Sequence, residues 1–343
     1  MGESFVTTNP AWIEDREQPE LITTTDRTNW STLPKLPAAV SAVGFGAADG
    51  QLVVTATSCE TDDGVDLCVE DQADDLTGVD APLHAWVLGP DDAYTEVEVP
   101  PRTTAGAESL AGTSQGQWSL FSTTGGPLLI SADGRSRLLD DIGIDLDSPM
   151  GYDVTGSRLV VLGYTGNPDA VKAKQQMEYS TPEEAARLAE IAAAEFGVTS
   201  ISFVELDDPS AKPTTIVVPP EVPDLPAFVS QNSAVWVDDG NEYVIDLNTG
   251  QFSTTALPAE VAPLASVINP AGGRDGRTSA DGTVYLTPDP MYGPIPPGMG
   301  VARRTPNGEW SIASDTPITG TPLIIADNGL FAVTNATIEQ VAA

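Results

Sequence analysis

The side chains best suited to acid–base or nucleophilic catalysis are unevenly represented in this chain. There is a single histidine, His84, within the stretch Leu83–Trp86, which is typical of a β-strand. A catalytic triad or a metal site built on histidine is therefore not supported, and a packed or solvated ring is the simpler interpretation of His84. Carboxylates are abundant, with 50 Asp and Glu residues, so a paired-carboxylate site of the glycosidase kind stays open. We assign no catalytic residue.

Two cysteines, Cys59 and Cys68, lie close together in the sequence. The turn-like run Thr61–Gly64 separates them, and a hairpin loop of this length can bring two sulfur atoms within bonding distance. We predict a disulfide, and because such bonds persist mainly in oxidising compartments, we expect the chain to be extracytoplasmic, either secreted or held at the cell envelope. Reduced cytosolic thiols are the alternative. The first residues lack the pattern of a secretory signal, and a signal or lipid anchor upstream of Met1 is left open.

The segment around the cysteines is strongly acidic, with nine carboxylates and no basic residue between Glu60 and Asp80. Three of them, Asp62, Asp63 and Asp66, can offer oxygen ligands to Ca²⁺. Their spacing differs from the calcium-loop pattern of alternating Asp or Asn ahead of a Gly and a distal Glu. A solvated acidic loop is the other interpretation, and we expect no other cofactor.

The overall charge limits the classes of partner. The chain carries 50 acidic and 15 basic residues, a formal net charge of -35. This charge repels phosphate backbones and anionic lipid headgroups, whereas it attracts cations and basic protein surfaces. The apolar runs are too short to cross a bilayer. We therefore expect no nucleic-acid partner and no transmembrane segment in this chain.

A short unit recurs in six copies along the chain. It is clearest over residues 227–255, where four β-type runs are separated by turns at Asn232-Ser233, Asp238–Gly240 and Asn248–Gly250. Turns of this kind supply the positive φ that tight hairpins need, and runs of four to six residues between them are typical of strands. Repetition at such a period is typical of propellers. We predict an all-β, six-bladed β-propeller with four strands, a to d, in each blade.

The two ends of the chain supply incomplete copies of the unit. The last copy stops after its third run, Thr337–Val341, whereas Asn29–Leu33 resembles the fourth runs of other copies, such as Glu309–Ala313. We predict that residues 29–33 complete the last blade and close the ring, which covers the sheet edges. Residues 1–28 lack a period and are predicted to be a tail or tether. Residues 29–343 are predicted to be one domain.

Two of the turns resemble those of a known class of proteins. Ser279–Leu286 reads Ser-Ala-Asp-Gly-Thr-Val-Tyr-Leu, and Ser131–Gly134 reads Ser-Ala-Asp-Gly. Both are similar to the Ser-Pro-Asp-Gly turn, followed by apolar residues, of TolB-like and related bacterial propeller repeats, although the proline is missing. The resemblance covers most of the chain at the level of the superfamily. It implies the fold and no particular chemistry.

Three long connections are predicted to lie on one face of the propeller. They follow strand b of alternate copies, at residues 58–82, 163–199 and 288–299, whereas the a-to-b and c-to-d turns lie on the opposite face. Long loops grouped on one side of a rigid scaffold are typical of a binding surface. Independent drift of loop length is the alternative.

The middle connection is predicted to contain two helices within residues 166–197. Asn167-Pro168 opens the first, and Thr181–Glu184 combines an N-cap, a proline at the first helical position and a capping-box Glu for the second. The apolar stripe of the second helix includes the predicted partner-binding residues Leu188, Ile191 and Phe196. Packing of this stripe on the propeller itself is the alternative.

The third connection contains an apolar, proline-stiffened run. Met291, Tyr292 and Ile295 lie in it, and a stiff run loses little conformational entropy on binding. We predict that these three residues anchor a partner.

Together these patterns predict a non-enzymatic, extracytoplasmic propeller. Its face bearing the three insertions is expected to bind a protein or another component of the cell envelope. The alternative is a carbohydrate-active enzyme with paired carboxylates at the mouth of the central channel. Two carboxyl groups about 5 to 10 Å apart in a cleft on that face would favour the alternative.

Overall fold

The regular secondary structure of the described residues consists almost entirely of β-strands, and the predicted all-β class is confirmed. A computed structural model describes residues 5–8, 20–27, 29–58, 82–101, 103, 109–111, 116–123, 125–144, 148–165, 181, 184, 187, 198–222, 228–265, 281–287, 297, 300–315, 323–326, 329–334 and 337–342. Within these residues no helix is long and apolar enough to span a membrane.

The strands of the described residues form seven antiparallel sheets that follow one another along the chain. The first sheet contains β1 (Phe5–Thr8), β2 (Leu21–Thr24) and β3 (Ser31–Thr32). The second contains β4 (Val40–Ala48), β5 (Gln51–Ser58), β6 (Leu83–Leu88) and β7 (Tyr94–Glu96). The third contains β8 (Ser109–Ala111), β9 (Trp118–Phe121), β10 (Leu128–Ser131) and β11 (Ser136–Leu138). The fourth contains β12 (Ser148–Thr155), β13 (Arg158–Thr165), β14 (Val198–Glu205) and β15 (Thr214–Val217).

The remaining three sheets repeat the same plan. The fifth contains β16 (Phe228–Val229), β17 (Ser233–Asp238), β18 (Asn241–Asp246) and β19 (Phe252–Ala256). The sixth contains β20 (Val284–Leu286), β21 (Val301–Arg304) and β22 (Trp310–Ser314). The seventh contains β23 (Leu323–Ala326), β24 (Gly329–Thr334) and β25 (Thr337–Ala342). A 3-10 helix at Leu139–Ile142 and a short helix, α1, at Ala262–Ala265 lie in connections between sheets.

Strands in the middle of a sheet are apolar on both faces, and β13 shows the consequence. Val160 and Leu162 pack toward the fifth sheet, whereas Leu159 and Val161 pack toward the third. Because successive side chains of a strand point to opposite faces, such a run must be covered on both sides. The second to sixth sheets are each packed between two neighbours in this way.

Apolar clusters join each sheet to the next one along the chain. A large aromatic side chain lies in each of these clusters. In order from the first pair of sheets to the last, they are Trp86, Phe121, Trp118, Trp236, Trp310 and Tyr285.

The turns predicted from Asx-Gly pairs are confirmed where the structure describes them. Asp49 and Gly50 both have positive φ, at 47° and 72°, between β4 and β5. Asp239 and Gly240 do the same between β17 and β18, at 44° and 73°. Two consecutive residues with positive φ define the tight turn that matches the twist of a β-hairpin.

The predicted number of six blades is not confirmed, because the described strands form seven sheets. The additional sheet lies in the first 32 residues, and β1 and β2 belong to the stretch that we predicted to be a tail. These two strands have only four residues each and are not joined by a turn motif of the repeated kind. The period of the sequence therefore does not reveal them.

The predicted pairing of residues 29–33 with the last blade is wrong for Ser31 and Thr32, which pair with β2 instead. Asp26 explains the local pairing, since its carboxylate accepts a hydrogen bond from Asn29 N–H at 2.7 Å and so forms a turn after β2. A hairpin with the preceding strand closes a short loop, which costs less entropy than pairing with a strand 300 residues away.

Side chains nevertheless connect this N-terminal segment to the seventh sheet. Trp30 packs on Phe331 and Ile338. The guanidinium of Arg27 lies 4.4 Å from the ring centre of Phe331. The segment that we expected to complete the last sheet by hydrogen bonds thus contacts it by packing.

Little of the two-helix insertion predicted for residues 166–197 is described. Glu184 and Arg187 are helical, and Glu184 N–H lies 3.4 Å from Thr181 Oγ1, as expected for the predicted N-cap. The rest of the insertion lies outside the described residues, so the two helices stay a prediction.

We expect Trp30→Ala to destabilise the protein by about 2 to 4 kcal/mol, because it removes a large side chain from its contact with Phe331 and Ile338. Urea unfolding followed by tryptophan fluorescence and circular dichroism measures the change. Thr32→Ala, at an exposed position two residues further on, is the control and should change stability by less than about 0.5 kcal/mol. Equal stability of the two variants would show that this contact does not hold the N-terminal segment in place.

Candidate functional site

The residues that the sequence selects for binding all lie outside the described residues. They are the predicted disulfide pair Cys59 and Cys68, the predicted calcium ligands Asp62, Asp63 and Asp66, and the predicted partner contacts Leu188, Ile191, Phe196, Met291, Tyr292 and Ile295. The structure shows the ends of the strands that flank the segments containing these residues.

One end of the sheets is defined by contacts between hairpin turns. Asp49 N–H donates to Gly116 O at 2.5 Å, and Gln117 N–H donates to Gly156 O at 2.8 Å. Arg158 Nη1 donates to Gln231 O at 2.7 Å. These residues lie at the first hairpins of the second, third, fourth and fifth sheets. We call this end, with its turns at residues 49–50, 116–117, 156–157 and 231–232, the turn end.

The sixth sheet has the same orientation as the other four. Gly282, which precedes β20, lies against the turn of the fifth sheet, since a Cβ added to it would be 3.4 Å from Ser230 Cβ. The first residue of β20 therefore lies near the turn end, and the last residue of this strand, Leu286, lies toward the opposite end.

All three predicted insertions leave the sheets at that opposite end, which we call the insertion end. The first leaves between Ser58 and Pro82, where Ser58 N–H donates to Pro82 O at 2.9 Å. The second leaves after the last pair of β13 and β14, Thr165 and Val198, and the third after the pair Leu286 and Ala302. The insertions belong to the second, fourth and sixth sheets, with an uninterrupted sheet between each two.

The floor of the insertion end is built from repeated proline turns that follow the fourth strands. The carbonyls of Pro100, Pro219 and Pro258 each accept a hydrogen bond from the N–H three residues later, at 2.9, 3.0 and 2.8 Å. The donors, Thr103, Val222 and Val261, are buried. In these three repeats the Pro-rich exit thus fixes a short turn and inserts one side chain into the protein. This gives the insertions a rigid base.

The turn end carries polar contacts between sheets, and Arg135 makes the most extensive set. Its guanidinium donates to Asp133 at 2.9 Å and to Asp207 of the fourth sheet at 3.0 Å, and lies 4.8 Å from the ring centre of Trp118. Trp118 Nε1 also donates to Asp207, at 3.1 Å. The hydrogen bonds from Arg135 and Ser131 lower the pKa of Asp133. These groups satisfy one another, and their arrangement joins two sheets.

Arg158 has the same function at the next junction. Its Nε lies 2.6 Å from Glu205 Oε1, and its Nη1 lies 3.2 Å from Asn248 Oδ1 of the fifth sheet. The guanidinium also lies 5.0 Å from the ring centre of Phe203. The described part of the turn end is therefore stabilised by internal ion pairs.

The paired-carboxylate alternative gains no support from the described residues. Asp133 and Asp207 share Arg135 as a partner, but both lie at the turn end. A general acid needs a raised pKa, whereas the pKa of Asp133 is lowered. This pair is an ion-pair bridge and does not have the properties of a glycosidase site.

His84 is packed, as the sequence indicates. Its ring stacks on Trp86, with centroids 5.3 Å apart and an angle of 13° between the planes. Its Nδ1 lies 4.0 Å from Glu96 Oε1. His84 and Trp86 are two residues apart in β6, so the two rings lie on the same face of the second sheet.

Sequence reasoning missed two polar sites inside the protein. The first is Asp153, on the edge strand β12 of the fourth sheet, where burial raises the pKa of the carboxyl to about 7, although hydrogen bonds with Val154 and Thr155 act in the opposite direction. Asp153 pairs with Val160, so its side chain lies on the face that packs toward the fifth sheet. An acidic residue between the apolar neighbours Tyr152 and Val154 was the available signal.

The second is the ion pair of Arg304 with Glu242, which joins the sixth and fifth sheets. Both side chains are only 8% exposed, and Arg304 Nε donates to Glu242 Oε1. Arg303 and Arg304 are adjacent in β21, so their side chains point to opposite faces of the sixth sheet. β21 lies between β20 and β22.

Seven successive antiparallel sheets, each a meander packed on the next, form the architecture of a propeller. The chain is a β-propeller protein. No protein-family model and no curated protein matches it, so no specific family is assigned.

Several solved structures resemble this propeller. Virginiamycin B lyase from Staphylococcus aureus has 11% sequence identity and a TM-score of 0.42, over 99% of this chain and 100% of that one. YjhT has 9% identity and a TM-score of 0.35, over 94% and 86%. The β-propeller domain of the Trilobed protease from Pyrococcus furiosus has 8% identity and a TM-score of 0.43, over 90% and 85%. Identities and scores this low carry no inference about activity.

We expect Asp153→Asn to stabilise the propeller at pH 8 and to have little effect near pH 4. Burial raises the pKa of Asp153 from 3.8 to about 7, so the folded protein binds this proton more tightly than the unfolded chain. The wild type therefore loses stability as the pH rises between these two pKa values, whereas the Asn variant does not. The expected loss is on the order of 2 kcal/mol, less than full burial would give, because the side chain keeps some solvent contact.

Urea unfolding at pH 4 and pH 8 measures this difference between variant and wild type. Asp239→Asn, at an exposed turn position, removes the same formal charge and is the control. Parallel pH profiles for Asp153→Asn and the wild type would contradict the raised pKa.

Proposed function

We propose that this propeller is a non-enzymatic binding scaffold outside the cytoplasm, and that its insertion end engages a protein or another component of the cell envelope. In this proposal the ring of sheets is closed by the packing of Trp30 on Phe331 and Ile338 and not by a shared sheet. The observation that carries the proposal is the position of the insertions. All three leave the sheets at the same end, on alternate sheets.

A rigid base with long segments above it is the usual arrangement of a loop-borne binding surface. The proline turns fix the base, and the fifth sheet keeps a short connection, Asp238–Asn241, between two insertions. The insertions are therefore separate from one another where they leave the sheets. A partner that spans the insertion end can contact all three insertions at once. Removal of any single insertion should then weaken binding by a measurable amount.

The composition of the insertions indicates what the partner offers. The first carries nine carboxylates and no basic residue, so it favours a partner with a basic surface. The proposed apolar anchors are Leu188, Ile191 and Phe196 of the second insertion and Met291, Tyr292 and Ile295 of the third. Apolar anchors surrounded by charge are typical of protein interfaces.

Replacement of residues 166–197 by a two-residue Asn-Gly turn tests the proposal. Because Thr165 and Val198 are paired across β13 and β14, the turn continues an existing hairpin, and we expect the melting temperature to stay within a few degrees of the wild type. Affinity capture from extracts of the source organism, quantified by mass spectrometry, compares the two proteins. We expect partners of the wild type to be recovered at least about tenfold less with the shortened variant.

A matched control changes the opposite end. Thr249→Lys combined with Gln251→Lys alters the exposed c-to-d turn of the fifth sheet and should leave capture unchanged. Equal recovery with the shortened variant and the wild type, in the presence of an intact fold, would contradict a docking role for the second insertion. Loss of recovery with the control variant would place the binding surface at the turn end.

The proposed location depends on the disulfide between Cys59 and Cys68. We expect thiol titration of the denatured, unreduced protein, isolated from its native host under acid quench, to find no free thiol, and two after reduction. The acid quench prevents oxidation during isolation. Two free thiols before reduction would indicate a reducing compartment and would remove the argument for an extracytoplasmic location.

A further inference from the structure

Arg303 differs from Arg135, Arg137, Arg158 and Arg304, the other described arginines within the second to sixth sheets. Arg135, Arg158 and Arg304 each form an ion pair with a carboxylate. Arg137 donates to the carbonyl of Leu206. Among the described residues no carboxylate lies within 4.0 Å of Arg303, and its Nε is buried without a hydrogen-bond partner. An unpaired guanidinium is unexpected in a chain with 50 acidic and 15 basic residues.

The neighbours of Arg303 on the sheet are hydroxyl groups. Arg303 pairs with Tyr285 on one side and with Ser311 on the other. Residues directly opposite each other in paired strands lie on the same face, so these three side chains form a row across β20, β21 and β22. The row faces the seventh sheet, because Tyr285 packs there against Leu330. Every polar group in it can donate a hydrogen bond.

The row formed by these three side chains has solvent access at one side. Burial raises the pKa of Tyr285, the positive charge of Arg303 lowers it, and the negative charge of Asp281 raises it. Ser311 is exposed and Arg303 is half-buried, whereas Tyr285 is only 2% exposed. The row therefore runs from the interior of the sheet to solvent, and a small molecule can approach it from the exposed side.

The facing sheet does not supply a counter-charge. Leu330 and Val341 are its apolar contacts to the sixth sheet. Glu339 pairs with Ala332 and is exposed. It lies three residues from the turn end of β25, whereas Arg303 lies one residue from the turn end of β21. A partly desolvated guanidinium without a partner is costly, and an anion in hydrogen-bond range removes that cost.

We propose that Arg303, Tyr285 and Ser311 form a binding site for the oxyanion group of a small molecule, a carboxylate or a phosphate, between the sixth and seventh sheets. A guanidinium presents parallel N–H donors that match two oxygens of either group, and the flanking hydroxyls supply further donors. The site lies toward the turn end, away from the insertions, so it is separate from the proposed docking surface.

The ligand is a small molecule and not a polyanion. The net charge of -35 repels nucleic acids and anionic membranes, which extend over many charges. For a single small anion this repulsion is limited, because charges beyond the Debye length of about 8 Å are screened at physiological ionic strength. Arg304, the other nearby cation, is neutralised by Glu242, so Arg303 is the charge that acts on the ligand.

Calorimetric titration of the full chain with inorganic phosphate, and separately with acetate, tests the site at constant ionic strength in chloride. We expect saturable binding of at least one of the two, with a dissociation constant on the order of 1 mM, and the tighter of the two identifies the ligand as a phosphate or a carboxylate compound. Arg303→Gln should weaken binding more than about tenfold, and Tyr285→Phe should weaken it by a smaller factor.

Arg137→Gln removes the same charge from another half-buried arginine near the turn end and should leave binding unchanged. Melting temperatures distinguish a binding site from a structural residue. Without phosphate or acetate, Arg303→Gln should melt at the same or a higher temperature than the wild type, because the arginine has no partner to lose. The absence of saturable binding of both anions, equal binding by Arg303→Gln, or an equal loss of melting temperature with and without anion would overturn the proposal.

Discussion

The requirement that every sheet be covered on two faces determines the architecture of this protein. Strand β13 is apolar on both sides, with Leu159 toward the third sheet and Val160 toward the fifth, and its neighbours are built in the same way. A linear stack of such sheets would expose one apolar face at each end, at a cost of roughly 25 cal/mol for each Å². The contact of Trp30 with Phe331 places a side chain from the first 32 residues on the outer side of the last sheet. The start and the finish of the sequence are therefore energetically linked although no strand pairing joins them among the described residues.

The direction of the sheets follows from backbone hydrogen bonds between turns. The bonds from Asp49 to Gly116 and from Gln117 to Gly156 form only when the first hairpins of adjacent sheets point the same way. Once the first hairpins are aligned, every connection from the second strand to the third must emerge at the opposite end. The grouping of the three insertions at one end is thus imposed by the fold. What the fold does not impose is that long connections occur on alternate sheets, and this is the feature that the proposed function explains.

The sequence predicts well those features that are encoded within a few residues. The turns at Asp49-Gly50 and Asp239-Gly240 were identified because positive φ restricts the residue types at each position. The positions of the three insertions were identified because each insertion interrupts a hairpin of the repeated unit. The first sheet was missed because β2 is followed by a turn built on Asp26 and Arg27, which lacks the glycine of the repeated motif. The residues selected for binding lie outside the described ones and stay predictions.

Contacts between sheets are the class of feature that a sequence pattern does not reveal, and the arginines show why. The adjacent positions of Arg303 and Arg304 imply opposite faces, which is correct. Only the fold shows that Arg304 faces Glu242, 62 residues away, and that Arg303 faces the apolar surface of Leu330. In a chain this acidic, each cation placed between sheets removes repulsion that would otherwise separate them, so selection for stability favours pairing every one. Arg303 does not follow that rule. Its energetic cost is explained if an anion completes the site, in the same way that Glu242 completes the site on the other face of the sheet.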